Sequence, residues 1–274
     1  MKKNVVWYAA FVLLLGLVAC GKEEQIASQE RGKVMVDLVS DPSFPVKGPV
    51  GRAVDLLSYA NVNNYTVEIV DGDGTVIQSK LYSEMDLVQE VVPGTYTIRA
   101  FYGENLPAAY DKLYVAGEQL FTVAKGDTKK VSFVCKPANT KVKIVYSDDF
   151  FNFYSDCTVG LKTKHINTPF LMAKGDRDKE LFLKSDAAGE ILTLTFDLKD
   201  LKEVSVTPDN FGAQTVTIKP RDFLTISIKP KLIDVDGGKI TGITVTVDNG
   251  VTEEMIDVLI PDDFLPGEDT EVNN

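Results

Sequence analysis

Residues 65–81 read YTVEIVDGDGTVIQSKL, and the way this stretch alternates decides the fold class. Tyr65, Val67 and Ile69 are separated by polar Thr66 and Glu68, so an extended backbone puts the three apolar side chains on one face. The tetrad Asp71-Gly72-Asp73-Gly74 then supplies residues that tolerate positive φ, and the apolar residues resume at Val76 and Ile77. Two alternating runs joined by such a turn predict a β-hairpin.

The same texture spreads outward in both directions. A second hairpin is expected in FLTISIKPKLIDVDGGKITGITVTV, residues 223–247, around an Asp-Gly-Gly turn. In VPGTYTIRAFYG, residues 92–103, Tyr96 and Ile98 share a face and Pro93-Gly94 makes the turn that enters the strand. Short runs rich in Val, Ile, Thr, Tyr and Phe, punctuated by Gly, Pro, Asp and Asn, continue from Lys33 onward without long helical periodicity. The chain is therefore expected to be all-β, built of antiparallel sheets packed as Greek-key sandwiches of the immunoglobulin-like or transthyretin-like kind. RAVDLLSYA, residues 52–60, is the exception: its apolar residues fall near helical spacing and suggest one or two helical turns or an ordered loop.

Two segments end alike. AKGDTKKVSFVCKPAN (124–139) and IKPRDFLTISIKPKL (218–232) each set a turn before an alternating strand closed by Lys-Pro, which suggests two related sandwiches in tandem. The boundary is expected near Pro137, because proline cannot donate to a central ladder. The reading assigns residues 32–136 to the first sandwich, 137–261 to the second, and 262–274 to a polar tail.

The front of the chain has the layout of a secretory signal: Lys2 and Lys3, an apolar run from Val5 to Ala19, and small Ala19 ahead of Cys20. The run is shorter than the roughly 20 residues of a membrane-spanning helix. Leu17-Val18-Ala19-Cys20 resembles a bacterial lipobox, which implies a signal peptide at 1–19, a diacylglycerol on Cys20, acyl chains of the palmitate type in the membrane, and a tether at 20–31. Lys22-Glu23-Glu24 resembles the signal that sends Bacteroidota lipoproteins to the outer face of the outer membrane; a plain solvated tether reads the same residues equally well. The formal net charge of -11 becomes more negative once Lys2 and Lys3 are removed. A nucleic-acid partner is not expected, since that role needs a basic footprint.

The residues that bear chemistry are sparse. Asp71 to Thr75 opens like a calcium loop, but the twelfth position, where a bidentate Glu belongs, is Tyr82, so a hairpin turn is expected instead. The pairs Asp148-Asp149 and Asp262-Asp263 and the group Asp234, Asp236 and Gly237 are read as solvated turns. His165 is the one histidine, and its neighbours Lys162, Thr163 and Lys164 offer no recognisable triad or zinc partner, so it is expected to face solvent. No catalytic residue, metal or cofactor is assigned, apart from the covalent lipid. Cys135 and Cys157 admit two readings: a disulfide strapping the junction between domains, or two buried small hydrophobes in phase with Val131, Phe133, Val159 and Leu161. Phe150, Phe151, Phe153 and Tyr154 admit two readings, core packing or binding aromatics: alternation separates Phe151 and Phe153 from Phe150 and Tyr154 and leaves at least one pair for a sheet rim.

Taken with the lipobox, VPGTYTIRAFYG, VSFVCKPANTKVKIVYSDDF and the closing IPDDF, the chain resembles a Bacteroidota surface lipoprotein family, domain of unknown function 4493. The most specific matches are Pro93, Gly94 and Tyr96, and the junction Cys135, Lys136, Ala138 and Asn139. That family is more distantly similar to the fimbrillin-like surface proteins, lipoproteins of two β-sandwiches that build pili or adhesins by accepting a strand from a neighbouring subunit. The resemblance implies a non-enzymatic outer-membrane protein, exposed at the cell surface, serving cell adhesion or fimbria-like assembly, with other fimbrial subunits, a host surface or a glycan as partner. A surface glycan-binding protein is the alternative and an envelope hydrolase the third reading. In the assembly reading residues 32–39, GKVMVDLV, could be a removable strand with Arg31 at the cleavable position, or simply the first strand of the sandwich.

Overall fold

A computed structural model describes residues 31–45, 56–206, 213–233, 239–248 and 253–259. The signal-like segment, Cys20, Lys22, Glu23, Glu24, Asp234, Asp236, Gly237 and the pair Asp262-Asp263 lie outside these residues.

The first half of the chain forms strands β1 (Gly32–Ser40), β2 (Thr66–Val70), β3 (Val76–Leu81), β4 (Gln89–Val91), β5 (Gly94–Gly103), β6 (Ala108–Tyr110), β7 (Tyr114–Val123) and β8 (Thr128–Pro137). All except β6 join one sheet in the order β3-β2-β5-β7-β8-β1-β4. That sheet folds over on itself at the β7–β8 hairpin. The two strands pair only at Val115–Pro137 and Ala116–Lys136, whereas β8 runs parallel to β1 from Lys33 opposite Thr128 to Ser40 opposite Cys135. Two layers result, with Val34 and Leu38 of β1, Ile98 of β5 and Phe133 and Cys135 of β8 in a common core. Gly117 permits the close crossing at the fold, because a Cβ there would lie 2.6 Å from the Val134 carbonyl oxygen and 3.0 Å from the Cys135 Cα.

The second half forms β9 (Asn139–Tyr146), β10 (Tyr154–Lys162), β11 (Phe170–Met172), β12 (Leu181–Lys184), β13 (Glu190–Asp200), β14 (Gln214–Ile218), β15 (Phe223–Ile233), β16 (Lys239–Asp248) and β17 (Glu253–Leu259). One layer is ordered β11-β10-β13-β14, the other β17-β16-β15-β9-β12-β6. Alternating residues from both, such as Val159, Leu161, Leu192 and Leu194 facing Ile144, Leu183 and Ile226, make a second core.

The all-β sandwich architecture expected from the alternation is therefore present, and both hairpins form, β2–β3 and β15–β16. The sheets are not purely antiparallel: β1 with β8 and β9 with β15 are parallel pairs. Of RAVDLLSYA, the described residues form one short helix, α1 (Leu56–Ala60). Strand β15 does not close at Lys229-Pro230 but runs on to Ile233. Its pairing with β9 ends at Ile228, so beyond that point one side of β15 faces no strand among the described residues and the donor that proline lacks is not needed there.

The two sandwiches are interlocked rather than strung on a linker. Only Ala138 separates β8 from β9, and β6, from the first half, adds itself to the second sheet by pairing with β12, Ala109 opposite Phe182. Strand β12 is buried on both faces: Leu181 and Leu183 enter the second core, while Phe182 enters the first. Phe182, Lys141 of β9 and Phe223 of β15 form one cross-strand row. The Lys141 ammonium lies 2.5 Å from Glu180 Oε1 and sits over the rings of Phe223, at 4.3 Å, and Phe44, at 5.7 Å. Both charged side chains are at least nine-tenths buried, and neither Glu180 oxygen has a hydrogen-bond partner among the described residues beyond that ion pair. Nearby, Arg221 pairs with Asp41 at 2.6 Å and donates from Nε to the Ser43 carbonyl, tying the turn before β15 to the segment after β1.

Removing one member of a buried ion pair strands the other charge in a low-dielectric interior. Lys141→Ala is expected to destabilise the chain by about 3–5 kcal/mol in urea unfolding, whereas Lys141→Met combined with Glu180→Leu recovers most of the loss.

Candidate functional site

The aromatic segment begins with a turn, not an extended strand. Ser147 Oγ donates to Asp149 Oδ1 at 2.6 Å, and a single 3₁₀ turn, Phe150–Asn152, follows. The turn keeps the division that alternation gives. Phe150 and Tyr154 come onto the same inward side with ring centroids 5.2 Å apart, and both are buried. The Tyr154 hydroxyl donates to the Gly242 carbonyl at 3.0 Å and the Tyr146 hydroxyl to the Cys157 carbonyl at 2.6 Å. Burial pushes both phenols above their ordinary range. Phe151 and Phe153 remain half-buried against the edge of the second core. Of the four aromatics singled out as binding candidates, two are thus core residues, and Phe151 already carries the Lys174 ammonium 4.1 Å from its ring centre. Phe151 borders a shallow groove of about 380 Å³ with Tyr146, Asp148, Arg177 and Asp178.

The two cysteines do not form the strap. Cys135 lies in the first core and Cys157 in the second, each a free buried thiol, so their alternation with the neighbouring apolar residues was the better guide. Burial pushes the Cys135 thiol up to about 12 and raises that of Cys157 further. The Asp71 loop is a turn: Asp71 Oδ1 accepts the backbone N–H groups of Asp73 and Thr75 at 3.0 and 2.8 Å, and Gly74 takes φ 84°.

His165 departs from expectation. It is 21% exposed rather than free in solvent, and its partners come from 21 and 25 residues further along the chain. A turn closed by the Ile166 N–H on the Thr163 carbonyl brings it back over the end of the β10–β13 layer. Its Nε2 lies 2.9 Å from Asp186 Oδ1 and 3.2 Å from Glu190 Oε2. Glu190 opens β13 and is buried, its Oε1 accepting the Lys164 N–H at 2.9 Å. The Lys164 ammonium pairs with Asp186 Oδ2, and this hydrogen bond, with that from His165, holds the Asp186 carboxyl below the usual carboxylate range. No local spacing around His165 announces this cluster. The signal is topological, because β10 and β13 pair through Leu161–Leu194 and bring the loops at their ends together.

Outer strands offer further surfaces. Edge strand β3 carries Val76, Ile77 and Leu81 at 41, 47 and 40% exposure, and among the described residues one side of its backbone ladder has no partner strand. Strand β1 is held between β8 and β4, and packs Val34 and Leu38 into the first core. Its backbone is also gripped from the side, where the Tyr82 hydroxyl donates to the Val36 carbonyl at 3.3 Å.

The family model described as "Domain of unknown function (DUF4493)" matches residues 32–262, and the chain belongs to that family, as its motifs suggested. No curated protein matches the chain. Among solved structures it is similar to a fimbrial assembly protein from Parabacteroides distasonis, at 10% identity and a TM-score of 0.42, covering 82% of this chain and 98% of that one. It is also similar to the fimbrial anchor protein Mfa2 from Porphyromonas gingivalis, at 12% identity and a TM-score of 0.39, covering 84% and 99%.

Both described cysteines are expected to resist alkylation at pH 8 in the native protein, because burial disfavours the thiolate that reacts. Both are expected to label fully once the chain is unfolded without reductant; a denatured chain with neither thiol free would restore the disulfide strap.

Proposed function

We propose that the chain is a non-enzymatic lipoprotein of the outer membrane, exposed at the cell surface, and that its sandwiches serve adhesion or fimbria-like assembly. In this reading acyl chains on Cys20 hold the protein in the lipid, the charged tether gives clearance, and the interlocked sandwiches present edges and loops to a partner. The seating of β1 carries the reading. This strand is first in its sandwich, donates Val34 and Leu38 to the core, and is paired along its length with β8 but with β4 only from Gly32 to Val34. Its departure would leave a groove one strand wide beside β8, lined by the row Val131, Phe133 and Cys135, which a strand of a second subunit could fill. The clamp between sandwiches suits the same role, since a subunit under tension must pass force from its anchored end to its partner.

The groove beside Phe151 supports a second reading, a glycan-binding surface protein, because a partly open ring next to Arg177, Asp148 and Asp178 offers stacking and hydrogen bonding together. A panel of polysaccharides separates the readings: binding that Phe151→Ala abolishes would favour the glycan.

Native surface material, run unboiled in SDS, is expected to show a ladder of multimers beginning near residue 32, and mass spectrometry is expected to find Cys20 acylated in the unassembled form. Intact acylated monomer alone would contradict strand exchange, and an unmodified Cys20 would contradict the anchor.

A further inference from the structure

We propose that His165, Asp186 and Glu190 form a binding site for one divalent transition-metal ion of the Zn²⁺ type. Each residue offers one ligand atom, and these atoms lie within 4.8 Å of one another. The residues come from the turn after β10, the turn before β13 and the first position of β13, so the fold, not local sequence, makes them converge.

The hydrogen bonding of the cluster leaves one buried acceptor unpaired among the described residues. His165 Nε2 faces two carboxylate oxygens, Asp186 Oδ1 at 2.9 Å and Glu190 Oε2 at 3.2 Å. One ring nitrogen carries at most one hydrogen and can satisfy only one of them. Asp186 takes that bond, and among the described residues Glu190 Oε2 is left buried without a hydrogen-bond partner on a side chain that is 3% exposed. A buried acceptor left unpaired is costly and calls for an explanation. A cation between the three atoms would accept the imidazole lone pair and both carboxylate oxygens at once.

The remaining atoms of the ligands are already oriented. Glu190 Oε1 is fixed by the Lys164 backbone N–H and Asp186 Oδ2 by the Lys164 ammonium, while the His165 backbone N–H donates to Thr163 Oγ1 at 3.2 Å and pins the turn that carries the ring. Such outer contacts hold metal ligands in place and leave their coordinating atoms free. One nitrogen with two carboxylates suits Zn²⁺ and its late first-row neighbours, whereas Ca²⁺ takes six to eight oxygens. Glu190 also borders an open surface groove with Thr163, Lys164 and Gly189, so water can complete the coordination shell. The bound ion would staple the loop after β10 to the start of β13.

Titration calorimetry on the full-length chain in detergent, stripped with chelator and then given ZnCl₂ or CaCl₂, tests the site. The expected result is one Zn²⁺ per chain, with Ca²⁺ at least a hundredfold weaker. Glu190→Gln, which keeps the side chain's shape and its acceptor for Lys164, and His165→Ala should each weaken Zn²⁺ at least tenfold while retaining the wild-type circular dichroism spectrum. Should a buried-site variant fail to fold, Asp186→Asn on the more exposed arm must show the same loss. An absence of zinc binding, as expected if a protonated imidazole and Lys164 alone hold the carboxylates, would overturn the proposal. So would zinc binding that the folded variants leave unchanged.

Discussion

The buried contact between Lys141 and Glu180 is the constraint on which the arrangement of the two halves depends. Lys141 lies on β9, Glu180 immediately precedes β12, and the rings around the ammonium come from the segment after β1 and from β15. Four parts of the chain must be in register before this charge pair is compensated. An apolar side chain at either position would tolerate sliding of one sandwich over the other, whereas an ion pair does not. The backbone of the same residue holds the exit of β6, since the Glu180 carbonyl accepts the Asp111 N–H at 3.0 Å. Stability is a poor explanation for such a pair, because its desolvation offsets most of its attraction. Specification of one mutual arrangement is the role this geometry supports.

Much of this fold was legible in the alternation. Tyr65, Val67 and Ile69 are all buried as their spacing requires, and Tyr96 and Ile98 share an inward face. What was not legible depends on pairing between distant segments. Ala108-Ala109-Tyr110 is too short to show a period, so nothing local reveals that it leaves its own half. Leu181-Phe182-Leu183 did carry a signal, because an unbroken apolar run is what a strand buried on both faces produces. That reading would have placed another layer against β12. The charged residues Lys141 and Glu180 pointed the opposite way, toward solvent, and only tertiary pairing buries them.

The site residues divide along the same line. The Asp71 loop was readable because its turn is made by its own backbone and one side chain. Phe150 to Tyr154 divide as their alternation divides them, Phe150 and Tyr154 inward and Phe151 and Phe153 at the edge, although a 3₁₀ turn rather than an extended strand makes the division. His165 misled because its partners Asp186 and Glu190 are brought to it by the β10–β13 register. The features that the proposed assembly role would use are a first strand that completes its sandwich and an exposed apolar edge at β3.

The claim that the two sandwiches behave as one unit is tested most directly by native-state hydrogen exchange across rising denaturant, comparing the most protected amides of β1, β5 and β8 with those of β9, β13 and β15. Such exchange separates cooperative units by their opening free energies. If the junction locks the halves together, both sets converge on one opening free energy and one denaturant slope. Exchange of the first set through its own lower-energy opening, with the second set still protected, would contradict the account.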